Sequence, residues 1–302
     1  MYKQLVNEAI LELAIKPDGP ILIKAGETGG LDPSHPDMEF VRTLHEVYIP
    51  GSSLKGVIRA HSERIVRTLQ PQAGAGRGAC DPLAREKEAS CGKQLEDEEA
   101  SEIRYKQSCL ICRLFGNTTL AGRVHFADAL PAGKVTIEER NGVAIDRIYG
   151  SVAVGPFNYE VVTRGTFKTR ISLRNFTLPQ LALVGLALRD LGEGRISLGF
   201  GKSRGLGRVT IDWGRLEIRY PLAGLKHQHL EAEMLHGVGA LVAPDVAQRY
   251  SLSGDDRIQL PAGLRFAEDA WGTLRLVAEG SGQVQEIFRA VVGRWRQEVS
   301  RG

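Results

Sequence analysis

The sequence predicts an α+β protein whose strands and two amphipathic helices follow a split βαβ order. Leu11, Leu13 and Ile15 alternate with more polar residues, which is the period-2 pattern of a half-buried strand. Apolar stripes with helical spacing follow over 54–69 and 178–191, and strand-like segments come after each of them. The order strand, helix, strand, strand therefore occurs around each helix, as in ferredoxin-like folds.

Length and composition set the first limits on the protein. The 302 residues suffice for two modest domains or one elaborated domain. A net charge of +3 means that a binding site for a polyanion must come from local clustering of cations. No apolar run reaches the length of a membrane span, so we expect no membrane partner and a cytoplasmic location. Thiols stay reduced there, so the cysteines indicate a metal site before disulfides.

The first helix is expected to begin at Ser52 or Ser53, after a short strand at 21–23 and an irregular loop at 25–37. The start of a helix presents free N–H groups and the positive end of the helix dipole, and Lys55 lies close by. This combination favours a phosphate group. The alternative is an ordinary capped helix that packs on a sheet.

A polar insertion follows the first helix and contains all the cysteines, Cys80, Cys91, Cys109 and Cys112. Two cysteines in a C-x2-C pair can hold one tetrahedral ion, and the insertion can bring the other two to it. The sequence therefore predicts a structural zinc site. His61 could replace one cysteine, and four reduced thiols packed as small apolar groups are the alternative. The acidic run at 96–99 is expected to be a solvated surface.

Residues 133–173 have strand character but few residues for a core, so we expect two extended arms that project as a hairpin. Basic and aromatic residues are interleaved along it, among them Arg147, Tyr149, Phe157 and Tyr159. Such residues suit stacking on bases or wedging between them. An exposed meander whose aromatic residues face the core is the alternative.

The second helix, capped by Thr177, leads into a glycine-rich stretch at 192–209 in which glycines alternate with cations such as Lys202 and Arg204. Glycine lets a backbone approach a partner closely, and the interleaved cations suit a string of phosphates. RNA or single-stranded DNA fits this length and charge best. A mobile hairpin with solvated charges is the alternative. Beyond Pro221 the patterns weaken, and we assign no separate function there.

Three motifs together resemble one family. They are IPGSSLKG at 49–56, CRLFG at 112–116 and GFGKSRGLG at 199–207. They are similar to motifs of the RAMP superfamily of CRISPR-associated proteins, and more narrowly to the repeated backbone subunit of type III effector complexes. The resemblance covers about residues 8–220.

This resemblance implies an RNA-recognition-motif-like (ferredoxin-like) core at 1–220. Within the core, 71–112 would be a zinc-binding lid and 133–173 a thumb hairpin, and 221–302 would be a C-terminal subdomain that completes the fold. The implied partners are a guide RNA (crRNA), a target RNA, and other subunits of an antiviral ribonucleoprotein, including further RAMP subunits. The residues implied to contact RNA are Ser52, Ser53, Lys55, Arg59, Arg147, Tyr149, Lys202, Ser203 and Arg204.

Active family members cut target RNA beside each thumb with an aspartate and a divalent metal such as magnesium. Asp37 matches the family pattern best, and Asp32 is the second candidate. An aspartate that initiates a turn beside proline is the ordinary alternative. Two further functions stay open. One is a guide-processing nuclease of the same superfamily that acts without metal through His35 or His45, and the other is a non-catalytic structural subunit.

Overall fold

The computed structural model describes residues 4–26, 36–44, 46–74, 76–221 and 230–301. The strands are β1 (Glu8–Pro17), β2 (Arg42–Thr43), β3 (Glu46–Val47), β4 (Val124–Phe126), β5 (Leu130–Pro131), β6 (Thr136–Ile145), β7 (Val152–Arg164), β8 (Phe167–Arg174), β9 (Val209–Tyr220), β10 (Met234–His236), β11 (Arg257–Gln259), β12 (Ala267–Glu268) and β13 (Leu274–Glu279). The α-helices are α1 (Gly51–Leu69), α2 (Cys91–Gln94), α3 (Ser101–Gln107), α4 (Leu110–Phe115), α5 (Leu178–Gly192), α6 (Val238–Leu241), α7 (Pro244–Tyr250) and α8 (Gly280–Arg301).

A mixed α+β architecture is built on one antiparallel sheet of seven strands, in the order β12-β13-β9-β1-β8-β4, with β5 also paired to β8. Helix α1 lies in the connection from β1 to β4, and β8 separates those two strands. Helix α5 connects β8 to β9, and β1 separates those two. The α+β prediction is confirmed.

The core lies between one face of this sheet and a layer of helices. Strand β1 buries Ala9, Leu11, Leu13 and Ile15 on that face, because successive side chains of a strand point to opposite sides. Helices α1, α5 and α8 cover the face, with α5 packed between the other two. The apolar stripe of α5 is buried as its spacing predicts, through Leu181, Val184, Leu188 and Leu191.

The described part of the C-terminal region shares this sheet and this core. Strand β13 pairs with β9 along six residues, and α8 packs against α5. The ring of Phe288 on α8 lies 5.2 Å from that of Trp213 on β9, centroid to centroid. Within the described residues, no helix is both long enough and apolar enough to cross a bilayer.

The start of α1 differs from the expectation. The helix begins at Gly51 after Pro50, so Ser52 and Ser53 lie inside its first turn and neither is the cap. Asp128 supplies the capping group instead, since its Oδ1 accepts a 2.7 Å hydrogen bond from the Gly51 N–H. A side chain at position 51 would collide with the Phe126 carbonyl, so the close approach of β4 requires glycine there.

Two segments were misassigned from the sequence. The hairpin comprises only β6 and β7, and the end of the 133–173 stretch forms β8, which buries Phe167, Ile171 and Leu173 in the main sheet. Residues 195–198, the first strand-like segment after the second apolar stripe, adopt no strand. Their backbone is bonded locally instead, for example from the Leu198 N–H to the Gly207 carbonyl at 2.8 Å.

Candidate nucleic-acid interface and metal centre

Helix α1 presents a ridge of small residues to solvent. Its sheet-facing side is buried through Leu54, Ile58 and Val66. The opposite side carries exposed Ser52, Gly56 and Ala60, which we call the α1 ridge. A Cβ added at Gly56 would meet no atom within 4 Å. The ridge therefore offers a surface that another chain could approach closely.

One flank of the α1 ridge carries Lys55 and Arg59. Both line a depression together with Gly116, Asn117 and Thr118. Arg59 is held in place, with Nε 3.1 Å from a Glu63 carboxylate oxygen and Nη1 3.0 Å from the Gly116 carbonyl. Partial burial, and then the nearby Arg59 charge, lower the pKa of Lys55. An anion in this depression would relieve that repulsion.

The other flank carries Arg64, which lies close to Lys202 of the glycine-rich loop. These two cations line a second depression with Ala60, His61 and Ser197. Partial burial, and then the charge of Arg64, lower the pKa of Lys202. Within the described residues neither cation has an acidic partner within ion-pair distance. Two adjacent unpaired cations are a favourable place for a phosphate.

The sequence singled out both Lys202 and the amino end of α1 as phosphate contacts, but the structure does not bring the two together. Lys202 lies near Arg64, in a later turn of the helix, whereas Lys55 lies on the other flank of the α1 ridge. The amino end itself already binds the Asp128 carboxylate. Arg64 was missed as a site residue, because sequence spacing places it on the helix surface but cannot show that Lys202 lies beside it.

The glycine-rich loop is fixed to the preceding part of the chain. The Phe200 N–H donates to the Leu22 carbonyl at 2.7 Å, and the Gly207 N–H donates to the Pro20 carbonyl at 2.9 Å. Gly199 has a φ of +85°, and a Cβ there would collide with the Leu22 carbonyl. These contacts favour a shaped loop over a mobile hairpin.

Two predicted RNA-contacting residues, Ser203 and Arg204, lie exposed in the short 3-10 helix of this loop. The guanidinium carbon of Arg204 lies 5.2 Å from the centre of the Phe200 ring. This cation–π contact orients the guanidinium at the loop surface.

The sheet face opposite the helices carries charged side chains. Arg174 Nε lies 2.9 Å from Glu8, and Arg275 Nε lies 2.9 Å from Glu217. By the alternation of the strands, no aromatic residue of β1, β8 or β9 points to this face. A base-stacking platform is therefore missing from these three strands, which leaves α1 and the glycine-rich loop as the better candidate surface.

The hairpin of β6 and β7 pairs outside the main sheet, and its tip is apolar and exposed. Ile148 and Tyr149 are each 83% exposed, and the Asp146 carboxylate shapes the turn by accepting hydrogen bonds from both of their N–H groups. Phe157 and Tyr159 pack together along the hairpin itself, with ring centres 6.3 Å apart. Of the three aromatic residues proposed for stacking, Tyr149 is the one fully exposed at the tip.

Asp37 lies beside the middle of this hairpin, where Asn158 pairs with Asn141. Its exposed carboxylate accepts a 2.9 Å hydrogen bond from the N–H of Asn158 on β7. The adjacent Met38 is bonded to the same strand, because its carbonyl accepts from the Glu160 N–H at 3.0 Å. Within the described residues, Asp37 belongs to no group of three potential metal ligands. The other candidates, Asp32, His35 and His45, lie outside the described residues.

The cysteines form a compact, buried cluster. The Sγ atoms of Cys80, Cys91, Cys109 and Cys112 all lie within 4.8 Å of one another. Four thiolates around one zinc ion, each about 2.3 Å from it, would lie about 3.8 Å apart, so the cluster has the size of a tetrahedral site. Backbone N–H groups point to the sulfurs, as from Cys112 to Cys109 Sγ at 3.4 Å. These features fit a structural zinc ion.

The local sequence explains how the cluster forms. Cys109 and Cys112 flank the first turn of α4, and Cys91 begins α2. The buried Arg113 guanidinium ties down the turn before α4 by donating to the carbonyls of Tyr105 and Ser108, at 2.8 and 3.1 Å. The thiols do not titrate independently, because the hydrogen bond between Cys109 and Cys112 lowers the pKa of Cys109 and raises the pKa of Cys112.

His61 takes no part in the cysteine cluster. Its Nε2 lies 2.6 Å from the Asp190 carboxylate, which joins α1 to α5. The expectation that His61 could replace a cysteine is therefore wrong, since all four sulfurs already converge.

Comparison with known proteins identifies the family. A search of curated proteins returned no significant match. The family model of the RAMP superfamily matches residues 15–210, which is more than half of the chain and includes α1, the cysteine cluster, the hairpin and the glycine-rich loop. The chain belongs to the RAMP superfamily, and this membership indicates a CRISPR-associated, RNA-binding function.

Proposed function

We propose that the protein is an RNA-binding backbone subunit of a type III CRISPR effector complex, and that it carries a guide RNA across α1. The observation that carries this proposal is the pair of cation-lined depressions on the two flanks of the α1 ridge. The antiparallel sheet with α1 and α5 would be the RNA-recognition-motif-like core. Residues 1–220 would form that core, and 221–302 would complete it.

The spacing of the cations suits a strand that crosses the helix obliquely. Lys55 and Arg64 are nine residues apart, which corresponds to about 14 Å along a helix axis. That distance exceeds the separation of neighbouring phosphates, so each cation pair would meet a different phosphate. The small side chains of the α1 ridge leave room for the sugars between them.

The hairpin would be the thumb that interrupts a guide–target duplex. Its apolar tip consists of Ile148 and Tyr149. Within the described residues each of these side chains is 83% exposed, so the tip can contact another molecule. Such side chains can wedge between base steps or stack on an unpaired base. Arg147, which is exposed beside them, would contact the backbone of the RNA.

Target cleavage would take place beside the middle of the hairpin, next to Asp37. A single carboxylate holds magnesium only together with phosphate oxygens, so the RNA would have to supply further ligands. The metal would stabilise the charge that develops on the phosphate. Asp37 would orient that metal or position the attacking 2′-hydroxyl, and its bond to Asn158 would fix it relative to the thumb.

Removing both cations of the second flank tests the RNA site. The double variant Arg64→Gln/Lys202→Gln should bind a single-stranded oligoribonucleotide about 100-fold more weakly, at roughly tenfold for each lost phosphate contact. The slope of log K against log salt should become shallower by about 0.7, because the pair would neutralise one phosphate. Fluorescence anisotropy with the full chain over a range of salt concentrations measures both.

The matched control removes two cations elsewhere. Arg249 and Arg257 are exposed arginines that form ion pairs with Asp245 and Asp255. Their double glutamine variant has the same net charge as the test variant and should keep the wild-type affinity. An equal loss of RNA affinity in both variants would mean that net charge alone causes the loss. That result would contradict a binding site on α1.

Gly56 tests the path between the two flanks. Gly56→Ala should raise the free energy of unfolding by about 0.5–1 kcal/mol, since glycine inside a helix is unfavourable and the added methyl meets nothing. Gly56→Glu should fold but bind RNA more weakly, because a bulky anion would stand on the ridge. Urea denaturation and anisotropy measure the two effects. Unchanged RNA affinity in a folded Gly56→Glu variant would exclude this path.

A further inference from the structure

We propose that a groove between α5 and α8 receives the exposed Leu83 of a second copy of this chain. The inference rests on the proposed backbone role, in which copies lie side by side on one RNA. It assigns the surfaces through which neighbouring copies touch.

The groove is an open, mostly apolar surface between α5, β9 and α8. It has a volume of about 700 Å³, and its floor is formed by Leu186, Ile211, Trp213, Phe288 and Val292. Trp213 and Phe288 are largely buried, whereas the other three keep partial exposure. No described residue fills this space, so a side chain from outside can enter it.

The rim of the groove is basic. Arg189, Arg289 and Arg296 are exposed around it, and Glu193 is the acidic residue that lines it. Arg189 pairs with Asp190 at 2.7 Å, and Arg289 donates to the amide oxygen of Gln285 at 3.2 Å. The rim thus complements an acidic partner that presents an apolar side chain.

The cysteine-containing insertion is such a partner. Leu83 is 89% exposed, and its N–H donates to the Asp81 carboxylate at 2.9 Å, which holds the loop around it. Residues 81–106 contain eight acidic and five basic residues. The zinc-site geometry would keep this loop in place, so the leucine would be presented by a rigid support.

The two surfaces lie toward opposite edges of the sheet. Helix α8 contacts β9 and β13, whereas α1 contacts β4 and α4, from which the insertion extends. A contact between two different surfaces leaves one of each free at the ends of a dimer. Further copies can therefore add in the same direction and form a row.

A photo-crosslinking experiment tests the contact directly. Benzoylphenylalanine replaces Leu83 in the full chain, which is mixed with ¹⁵N-labelled wild-type chain and loaded on polyuridylate RNA. Irradiation should yield cross-links from position 83 to labelled peptides of α5, β9 or α8. Cross-links within one chain, or only to another surface of the labelled copy, would overturn the proposal.

Cooperativity of RNA loading supplies the second measurement. Leu83→Asp and Arg289→Glu should each lower the cooperativity between neighbouring copies at least tenfold and leave the affinity of the first copy unchanged. Leu44→Asp is the matched control, because Leu44 is 92% exposed and lies outside both surfaces. Adding Glu86→Arg, at an exposed acidic residue of the same loop, to Arg289→Glu should restore part of the cooperativity if the rim meets the loop.

The outcomes separate this inference from the proposed function. RNA binding with equal cooperativity in wild type, Leu83→Asp and Leu44→Asp would refute the interface and leave the RNA-binding role standing. Failure of the chain to bind RNA would refute that role. Cross-linking and sedimentation of the RNA-free chain at high concentration would then decide the interface, with cross-links to the groove supporting it and monomers without cross-links refuting it.

Discussion

Replacing Cys109 with serine is expected to release the bound metal and to unfold the insertion between α1 and β4. Cys109 is fully buried, and its sulfur accepts N–H groups from both Cys80 and Cys112. A serine oxygen is a poor substitute for a thiolate that binds zinc. Structural zinc supplies about 10–16 kcal/mol in isolated zinc-binding peptides, and most of that contribution would be lost.

The loss should extend beyond the insertion. Helix α4 follows Cys109 directly and buries Ile111, Leu114 and Phe115 in the main core. We therefore expect a lower melting temperature of the whole chain together with rapid proteolysis between α1 and β4. Wild-type protein should contain one zinc ion per chain by elemental analysis, and the variant should contain none.

Ser108→Ala is the control for this prediction. Ser108 is the buried neighbour of Cys109, and its hydroxyl donates to the Arg104 carbonyl at 2.7 Å. Its loss should cost about 1 kcal/mol and leave the zinc content unchanged. A wild-type protein without metal, with Cys109→Ser as stable as Ser108→Ala, would show that the four thiols are only packed as apolar groups.

Replacing Asp37 with asparagine should lower target-RNA cleavage by at least about 100-fold, the lower end of what a positioned acid–base group contributes. The asparagine oxygen can still accept the Asn158 N–H, so this part of the hairpin should keep its geometry. Affinity for the guide should stay unchanged. The experiment uses the guide-loaded complex, a complementary RNA and added magnesium, with the zinc content measured in parallel.

The control for Asp37 is Asp146→Asn, which changes an aspartate of the same hairpin that also accepts backbone N–H groups. It should cleave at the wild-type rate. Full cleavage by Asp37→Asn combined with loss in Asp32→Asn would move the site to Asp32. Cleavage that persists without any divalent metal and depends on His35 or His45 would instead favour a guide-processing nuclease.

Local patterns predicted the helices α1 and α5, because amphipathic spacing depends on neighbours along the chain, although Leu69 at the end of the α1 stripe is exposed. The stripe of α5 and the burial of Leu54 and Ile58 on α1 follow from the spacing of apolar residues. The predicted start of α1 was wrong, because the group that caps the helix belongs to Asp128, 77 residues away from Gly51 in the chain. Strand β8 was assigned to the hairpin, because the sequence of a strand does not show which other strand it pairs with.

For the candidate site, too, the sequence predicted the features that lie within short segments and not those that depend on distant residues. The C-x2-C pair indicated a metal, and the glycine-rich loop with its cations indicated a polyanion, both from short segments. The position of Lys202 beside Arg64 could not be foreseen, because 138 residues separate them and their contact depends on how α1 and the loop both pack on the core. The rigidity of the loop likewise depends on the distant carbonyls of Pro20 and Leu22.

The sequence by itself determined the α+β class, the four cysteines that could hold a metal, the family motifs and the residue types that an RNA would meet. These properties are encoded by side-chain identity and short spacing. Only the tertiary structure decided which cations face each other, which end of α1 is already bonded to a carboxylate, and which surfaces remain open. Such contacts join residues far apart in the chain, and their geometry exists only once the sheet and its helices have packed.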